Sequence, residues 1–199
     1  MIELVFASGN EHKLHEMYNL MPRNIKLKSL NDLNCTNDLP ENQQTLEGNA
    51  LEKAQFLYSN YAVNCFADDT GLEVETLNNE PGVYSARYAG TKDQFNDSKE
   101  WATANMRKLL TNLGNSKNRK AHFRTVIALI LNGKEYLFEG SVSGEITNVP
   151  KGLDGFGYDP IFMPNGYSKT FAELSLAEKN LISHRAIATK KLIDFLKTV

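Results

Sequence analysis

The chain has 199 residues, with 22 Lys and Arg against 24 Asp and Glu, a formal charge of −2. That balance lacks the basic excess of a nucleic-acid polymer binder, and a 41% hydrophobic content suits an ordinary globular protein of one domain over residues 1–199. The longest strongly apolar run, Val126 to Leu131, is too short to span a membrane, and the two cysteines, Cys35 and Cys65, fit no metal motif and imply reduced thiols in a cytoplasmic protein.

Ile2 to Ala7 is a short apolar run closed by Ser8-Gly9-Asn10, which predicts a buried strand ending in a tight turn. Glu3 and Gly9-Asn10 also interrupt any signal-peptide pattern. Glu11 to Leu20 sets Leu14, Met17, Tyr18 and Met21 at helical spacing, and a polar loop is expected from Leu30 to Gln44. Thr45 is placed to cap a helix running to Tyr61, with Leu46, Ala50, Ala54, Leu57, Tyr58 and Tyr61 on one face. Val63 to Ala67 predicts a second buried strand running into Asp68-Asp69-Thr70-Gly71, and Leu72 to Leu77 a further one. A helix over Gln94 to Leu113 would bury Trp101, Ala104, Leu109 and Leu113 and stop at Gly114. His122 to Leu131 and Lys134 to Ile146, joined by Asn132-Gly133, give the clearest hairpin signal. An amphipathic helix from Ile182 to Leu196 closes the chain, and the mixture of strands and helices predicts an α/β class with a mixed sheet.

Four segments carry chemistry. Ser8-Gly9-Asn10 with Lys13 joins a strand to a helix, presenting backbone N–H groups and a lysine at the positive end of the helix dipole, although a plain turn with a surface lysine has the same pattern. Asp68 and Asp69 are adjacent acids at a strand end. Because side chains alternate across a strand, they predict two different jobs unless the chain has begun to turn there. Like charges so close call for a cation or hydrogen bonds, and Mg²⁺ suits few carboxylates completed by water and phosphate; an Asp-rich turn is the bland alternative. Phe156-Gly157-Tyr158-Asp159 is a glycine-flanked aromatic loop able to stack a flat ring, or simply a packed turn. Lys179 and Ser183-His184-Arg185 complete the set, while His12, His15 and His122 show no metal-ligand spacing.

Taken in order, these segments resemble the Ham1-like family of inosine/xanthosine triphosphate pyrophosphatases. The matching stretches are Ser8-Gly9-Asn10…Lys13, Glu41…Glu47-Gly48-Asn49-Ala50…Lys53-Ala54, Ala67 to Leu72, Pro81 to Tyr88, Gly155 to Phe162, Thr170 to Leu174, and Glu178-Lys179-Asn180…Ser183-His184-Arg185. The resemblance implies a long mixed β-sheet flanked by helices in two lobes, with an active-site cleft between them. It implies hydrolysis of ITP, dITP or XTP to the monophosphate and pyrophosphate with Mg²⁺, by a cytoplasmic homodimer that cleanses the nucleotide pool. By the same resemblance Ser8, Gly9, Asn10, Glu11, His12 and Lys13 bind the triphosphate, including through the amides of Glu11 and His12. Glu41 and Asp69 hold the metal, and Asp69 activates water with Asp68 and Lys53 in support. Thr70, Phe156, Gly157, Tyr158, Asp159, Lys179, His184 and Arg185 contact the substrate. A Maf-like pyrophosphatase and a non-catalytic nucleotide-binding module are the alternatives. Phe156 to Asp159 with His184-Arg185 disfavour the first, and Lys13, Glu41, Lys53 and Asp69 the second.

Overall fold

A computed structural model describes residues 2–199. Strand β1 (Ile2–Phe6) leads through the Ser8–Asn10 turn into helix α1 (Glu11–Leu20), and β2 (Ile25–Lys28) returns beside β1. Helix α2 (Leu46–Tyr61) begins at Thr45, whose hydroxyl accepts from the Gly48 amide, and precedes strand β3 (Cys65–Val74). The short β4 (Pro81–Gly82) and helix α3 (Ser98–Leu113) follow, then the long strands β5 (Lys120–Leu131) and β6 (Lys134–Ile146). Strand β7 (Phe162–Pro164) and helices α4 (Leu176–Ile182) and α5 (His184–Leu196) complete the chain. The strands form one seven-stranded sheet in the order β2-β1-β3-β5-β6-β7, with β4 on β3. β1 is parallel to β2 and β3, whereas β3–β4 and β6–β7 are antiparallel, so the expected mixed sheet with flanking helices is present.

The contacts separate the chain into two compact units. The first comprises the chain up to Asp69 with Thr125–Gly140 and His184–Val199; the second comprises Thr70–Arg124 and Ser141–Ser183. The first is built on Leu4, Phe6, Met17, Phe66, Ile127, Leu129, Ala188 and Leu192, with the Phe6 and Phe66 rings stacked across neighbouring strands at 4.9 Å. The second is built on Leu72, Val74, Leu109, Leu113, Phe123, Tyr158, Phe162 and Phe171.

Several elements depart from expectation, each for a physical reason. β3 is one continuous strand through Asp68-Asp69-Thr70-Gly71, where a strand end and a fresh strand were expected. Its two carboxylates meet cations on either side, so their charge does not force a turn. The stretch from Glu75 to Leu77 is a 3₁₀ turn rather than strand. α3 starts at Ser98 rather than Gln94, because the Asp97 carboxylate accepts from the Glu100 amide and fixes the cap there. Gln94 belongs instead to a separate 3₁₀ turn capped by Thr91, and Trp101 is only half-buried, its indole donating to the Gly90 carbonyl. β2 falls in a stretch where no element was expected, since Ile-Lys-Leu-Lys offers only two apolar residues to mark a parallel partner for β1. The closing helix starts at His184 rather than Ile182, because Ser183 is extended, and a separate helix, α4, occupies Leu176–Ile182, where none was expected. The Asn132–Gly133 turn has positive φ at both residues, as a type I′ hairpin requires.

Candidate active site

β3 organises the first unit's polar centre through strand alternation. Cys65 faces α2, with its Sγ donating to the Ala54 carbonyl, and Phe66 lies in the core cluster that also holds Met17 of α1 and Leu192 of α5. Counting by twos, Asp69 shares the Cys65 face and Asp68 the Phe66 face. The ion pairs follow this parity. Asp68 receives Lys13 of α1 at 2.9 Å and the Arg185 Nε of α5 at 3.2 Å. Asp69 receives Asn49 Nδ2 at 3.0 Å and lies 3.8 Å from Lys53 Nζ, both from α2.

The two acids consequently differ electrostatically. Burial opposes the ionised form of Asp68, but Lys13, Arg185 and Lys53 outweigh it and hold the carboxyl well below the usual range. Asp69 is pushed upward, chiefly by burial, with Glu41 adding to the shift against Lys53, Lys13 and the Asn49 hydrogen bond. Burial pulls the Lys13 ammonium below the ordinary lysine range despite Asp68. Lys53 moves the other way: burial opposes its charge, but Asp69 and Glu41 prevail. Lys53 also pairs with Glu41 at 2.7 Å, so one buried ammonium serves both carboxylates expected to hold the metal.

Arg185 is among the largest fully buried side chains, at 1% exposure. Its Nη1 bonds Glu16 of α1, completing a chain of charges from Glu16 through Arg185 and Asp68 to Lys13. Glu16 was missed in the sequence because helical periodicity assigns the inward face to Leu14, Met17, Tyr18 and Met21. In the structure Tyr18 is 47% exposed and Glu16 is buried in its place. A charged residue one position from an apolar stripe carries no sequence signal until its counterion is known. His184, buried, opens α5. β6 passes very close to that helix: a Cβ on Gly140 would sit 2.1 Å from the His184 carbonyl, so glycine is required there.

The turn before α1 has the form of an anion site. Asn10 caps the helix, accepting from the amides of His12 at 3.0 Å and Lys13 at 3.2 Å, and Ser8 Oγ accepts from the Asn10 amide at 3.3 Å. The His12 amide is thus engaged by the cap, whereas Glu11 holds the first helical position, where an amide has no intrahelical acceptor. Gly9 to His12 are exposed, and a Cβ on Gly9 would meet no atom within 4 Å.

In the second unit, the aromatic loop and α4 build a separate buried pair. Asp159 Oδ2 accepts from Lys179 Nζ at 2.7 Å and from the Phe156 amide at 2.8 Å. The Lys179 ammonium lies 5.0 Å from the Phe156 ring centroid and 5.7 Å from that of Phe171. Gly155, at φ 75°, is where the loop crosses Asp159; a Cβ there would approach Oδ2 to 2.2 Å. Tyr158 is core: its ring joins the second hydrophobic cluster and its hydroxyl donates to the Ser85 carbonyl at 2.9 Å. Gly157 is half-buried beside it, as is Thr70, which follows Asp69 on β3.

Among the described residues, no three His, Cys, Asp or Glu side chains gather as a ligand cage. Glu41 and Asp69 are nevertheless hard oxygen donors, and Mg²⁺ takes only one or two carboxylates beside phosphate and water. Lys53 Nζ lies 2.7 Å from Glu41 and 3.8 Å from Asp69, so the two carboxylates converge on one cationic position, a donor set that fits a divalent cation.

The Ham1 family profile matches residues 4–195. The chain is 52% identical over 195 residues to a dITP/XTP pyrophosphatase of Flavobacterium johnsoniae, covering 98% of each. It is 48% identical over 197 residues to one from Porphyromonas gingivalis, again covering 98% of each. Among solved structures, a HAM1 protein from Coxiella burnetii superposes with a TM-score of 0.88 at 36% identity over 100% of both chains. The Ham1 protein of Staphylococcus aureus gives 0.86 at 39% identity over 98% of both.

The buried charge chain yields a stability prediction. Arg185→Met would leave Glu16 and Asp68 buried without their shared counterion, and denaturant unfolding should show a loss of about 3–5 kcal/mol. A loss below about 0.5 kcal/mol, the scale of an ordinary surface change, would show that Arg185 does not hold the two acids in place.

Proposed function

The chain belongs to the Ham1 family, and from that membership we propose that it hydrolyses noncanonical purine nucleoside triphosphates, dITP, ITP and XTP, to the monophosphate and pyrophosphate. The relatives that match it over nearly its whole length are dITP/XTP pyrophosphatases. The observation that carries the catalytic assignment is the split between the two acids: Asp68 is saturated by Lys13 and Arg185, while Asp69 is the one burial pushes toward accepting a proton.

In this reading the turn from Ser8 to His12, exposed from Gly9 onward and with Lys13 behind it, takes the triphosphate through the positive end of α1. Asp69 orients a water and accepts its proton as the water oxygen bonds to phosphorus and the α–β anhydride bond breaks, releasing pyrophosphate. Lys53 steadies the negative charge that Glu41 and Asp69 bring together. Glu41 and Asp69 would hold Mg²⁺, which when bound supplies charge neutralisation to the phosphate oxygens. Thr70 lies next along β3 and is assigned to the substrate beside Asp69.

Base recognition is assigned to Phe156, Gly157, Asp159 and Lys179, with Tyr158 as the core anchor of their loop. An ammonium has donors and no acceptor, so Lys179 suits the 6-keto oxygen of hypoxanthine or xanthine. Adenine presents an amino group there, and a buried donor left unpaired costs about 1–3 kcal/mol. His184 and Arg185 are assigned to the substrate as well. Since Arg185 has Nε and Nη1 on carboxylates, its contribution runs through the placement of His184 and Asp68. Both cysteines are free, as suits a cytoplasmic enzyme. Leu153 and Leu181, at 102% and 82% exposure, offer apolar surface for the homodimer that the family resemblance implies.

Incubation with dITP, ITP, XTP or ATP plus Mg²⁺, followed by identification of the leaving group, tests this reading. Pyrophosphate should appear from the first three, with ATP turned over at least about fivefold more slowly, the lower end of the cost of one unpaired buried donor; orthophosphate release, or equal rates on ATP, would overturn it. Asp69→Asn should bind substrate but lose nearly all turnover, and a wild-type rate in that variant would show that the central carboxylate lies elsewhere.

A further inference from the structure

Asn49 is 0% exposed, sits on α2 one turn before Lys53, and has no part in the roles assigned so far. Its amide touches both halves of the carboxylate site. Gln43 N donates to its Oδ1 at 2.9 Å, and its Nδ2 donates to Asp69 Oδ2 at 3.0 Å. The orientation of the amide follows from its partners. A backbone N–H can only donate and an ionised carboxylate can only accept, so the oxygen must face Gln43 and the nitrogen Asp69. The bond to Oδ2 also separates the two oxygens of Asp69: one is held by a neutral donor, and the other, Oδ1, lies 3.8 Å from the Lys53 ammonium.

The same helix face grips the loop that carries Glu41. Asn49, Glu52 and Lys53 stand at i, i+3 and i+4, a spacing that brings side chains to one side of a helix. Glu52 accepts from the Asn42 amide at 2.8 Å, from Asn42 Nδ2 at 3.2 Å and from Gln43 Nε2 at 3.3 Å. Lys53 reaches Glu41 itself at 2.7 Å. Residues 41 to 43 are therefore tied to α2 at every position, and of the three helix side chains Asn49 is the one that also bonds the β3 carboxylate through a neutral group.

We propose that Asn49 is a positioning residue for the hydrolytic step: its buried amide fixes the rotation of the Asp69 carboxylate and, through Gln43, ties the loop bearing Glu41 to the same point of α2. The inference rests on Asp69 being the carboxylate that accepts the proton of water. A carboxylate free to rotate about its Cβ–Cγ bond would present either oxygen to the water, and misplacement by about 1 Å is enough to cost about a hundredfold in rate. Substrate binding, assigned to the α1 turn and to the Phe156–Lys179 set, should be indifferent to the change.

The isosteric variant Asn49→Asp separates the two bonds, because it keeps an acceptor for Gln43 N and removes the donor to Asp69. Its kcat for dITP should fall by about a hundredfold, while KM and the affinity for non-hydrolysable α,β-methylene-dITP stay within about threefold of wild type. Asn49→Ala, which adds no charge, is measured beside it and should show the same split if Asn49→Asp does not fold. Thermal unfolding of each variant establishes the folded fraction to which rates are referred. A kcat within about threefold of wild type in the folded variants would overturn the proposal, as would analogue affinity falling in parallel with kcat, the mark of a merely structural residue. Wild type is assayed in the same series. If it fails to release pyrophosphate from dITP, the functional reading itself is wrong; if it succeeds while Asn49→Asp matches it, only the positioning role is lost.

Discussion

Two neighbouring residues of an extended strand cannot face the same way, and the first unit is arranged around that constraint. Asp68 and Asp69 are adjacent acids within a single strand, so the pleat sends one toward α1 and α5 and the other toward α2. Each side then needs its own compensation. On one side Lys13 and Arg185 neutralise Asp68, and Glu16 balances the second positive charge. On the other, Lys53 stands between Glu41 and Asp69, with a neutral amide completing the shell. On the first side two cations meet two acids, whereas on the second two carboxylates share the Lys53 ammonium. That asymmetry gives chemically identical residues opposite electrostatic fates.

Stability and function draw on these charges differently. A buried ion pair contributes little net stability compared with a well-packed apolar substitute, but removing one partner is costly. The Glu16–Arg185–Asp68–Lys13 chain therefore makes α1, β3 and α5 mutually dependent without adding much to their packing, which Met17, Phe66 and Leu192 already supply. It also brings Lys13, which follows the exposed turn before α1, against the strand that carries Asp69. The second unit uses a smaller version of the same device, holding the Lys179 ammonium between Asp159 and two aromatic rings.

Much of this was legible in the sequence where local chemistry decides the outcome. Thr45 caps α2, Asn132-Gly133 makes the hairpin turn, and Glu11 to Leu20 is the first helix. The ordered segments pointed to the family that residues 4–195 match. What stayed hidden depends on contacts distant in sequence. The strand through Asp68-Asp69 reads as a strand end because two acids in a strand are unfavourable unless cations from residues 13, 53 and 185 reach them. Glu16 lies outside the apolar stripe of α1, and its burial depends on Arg185 from the far end of the chain. The Phe156–Tyr158 loop reads equally as a ring-stacking platform or a packed turn, and for Tyr158 the packed alternative holds because its hydroxyl is committed to Ser85, 73 residues earlier. Asn49 carries no charge to attract notice, and its importance appears only when Gln43 and Asp69 are seen on either side of it.

The division of labour between the two acids is open to direct observation. A crystal structure of the protein with Mg²⁺ and α,β-methylene-dITP should show the metal on Asp69 and Glu41, with Asp68 still bonded to Lys13 and Arg185. Metal on Asp68, or an Asp68 carboxylate turned away from Arg185 to meet the phosphates, would contradict the assignment of Asp69 as the working carboxylate.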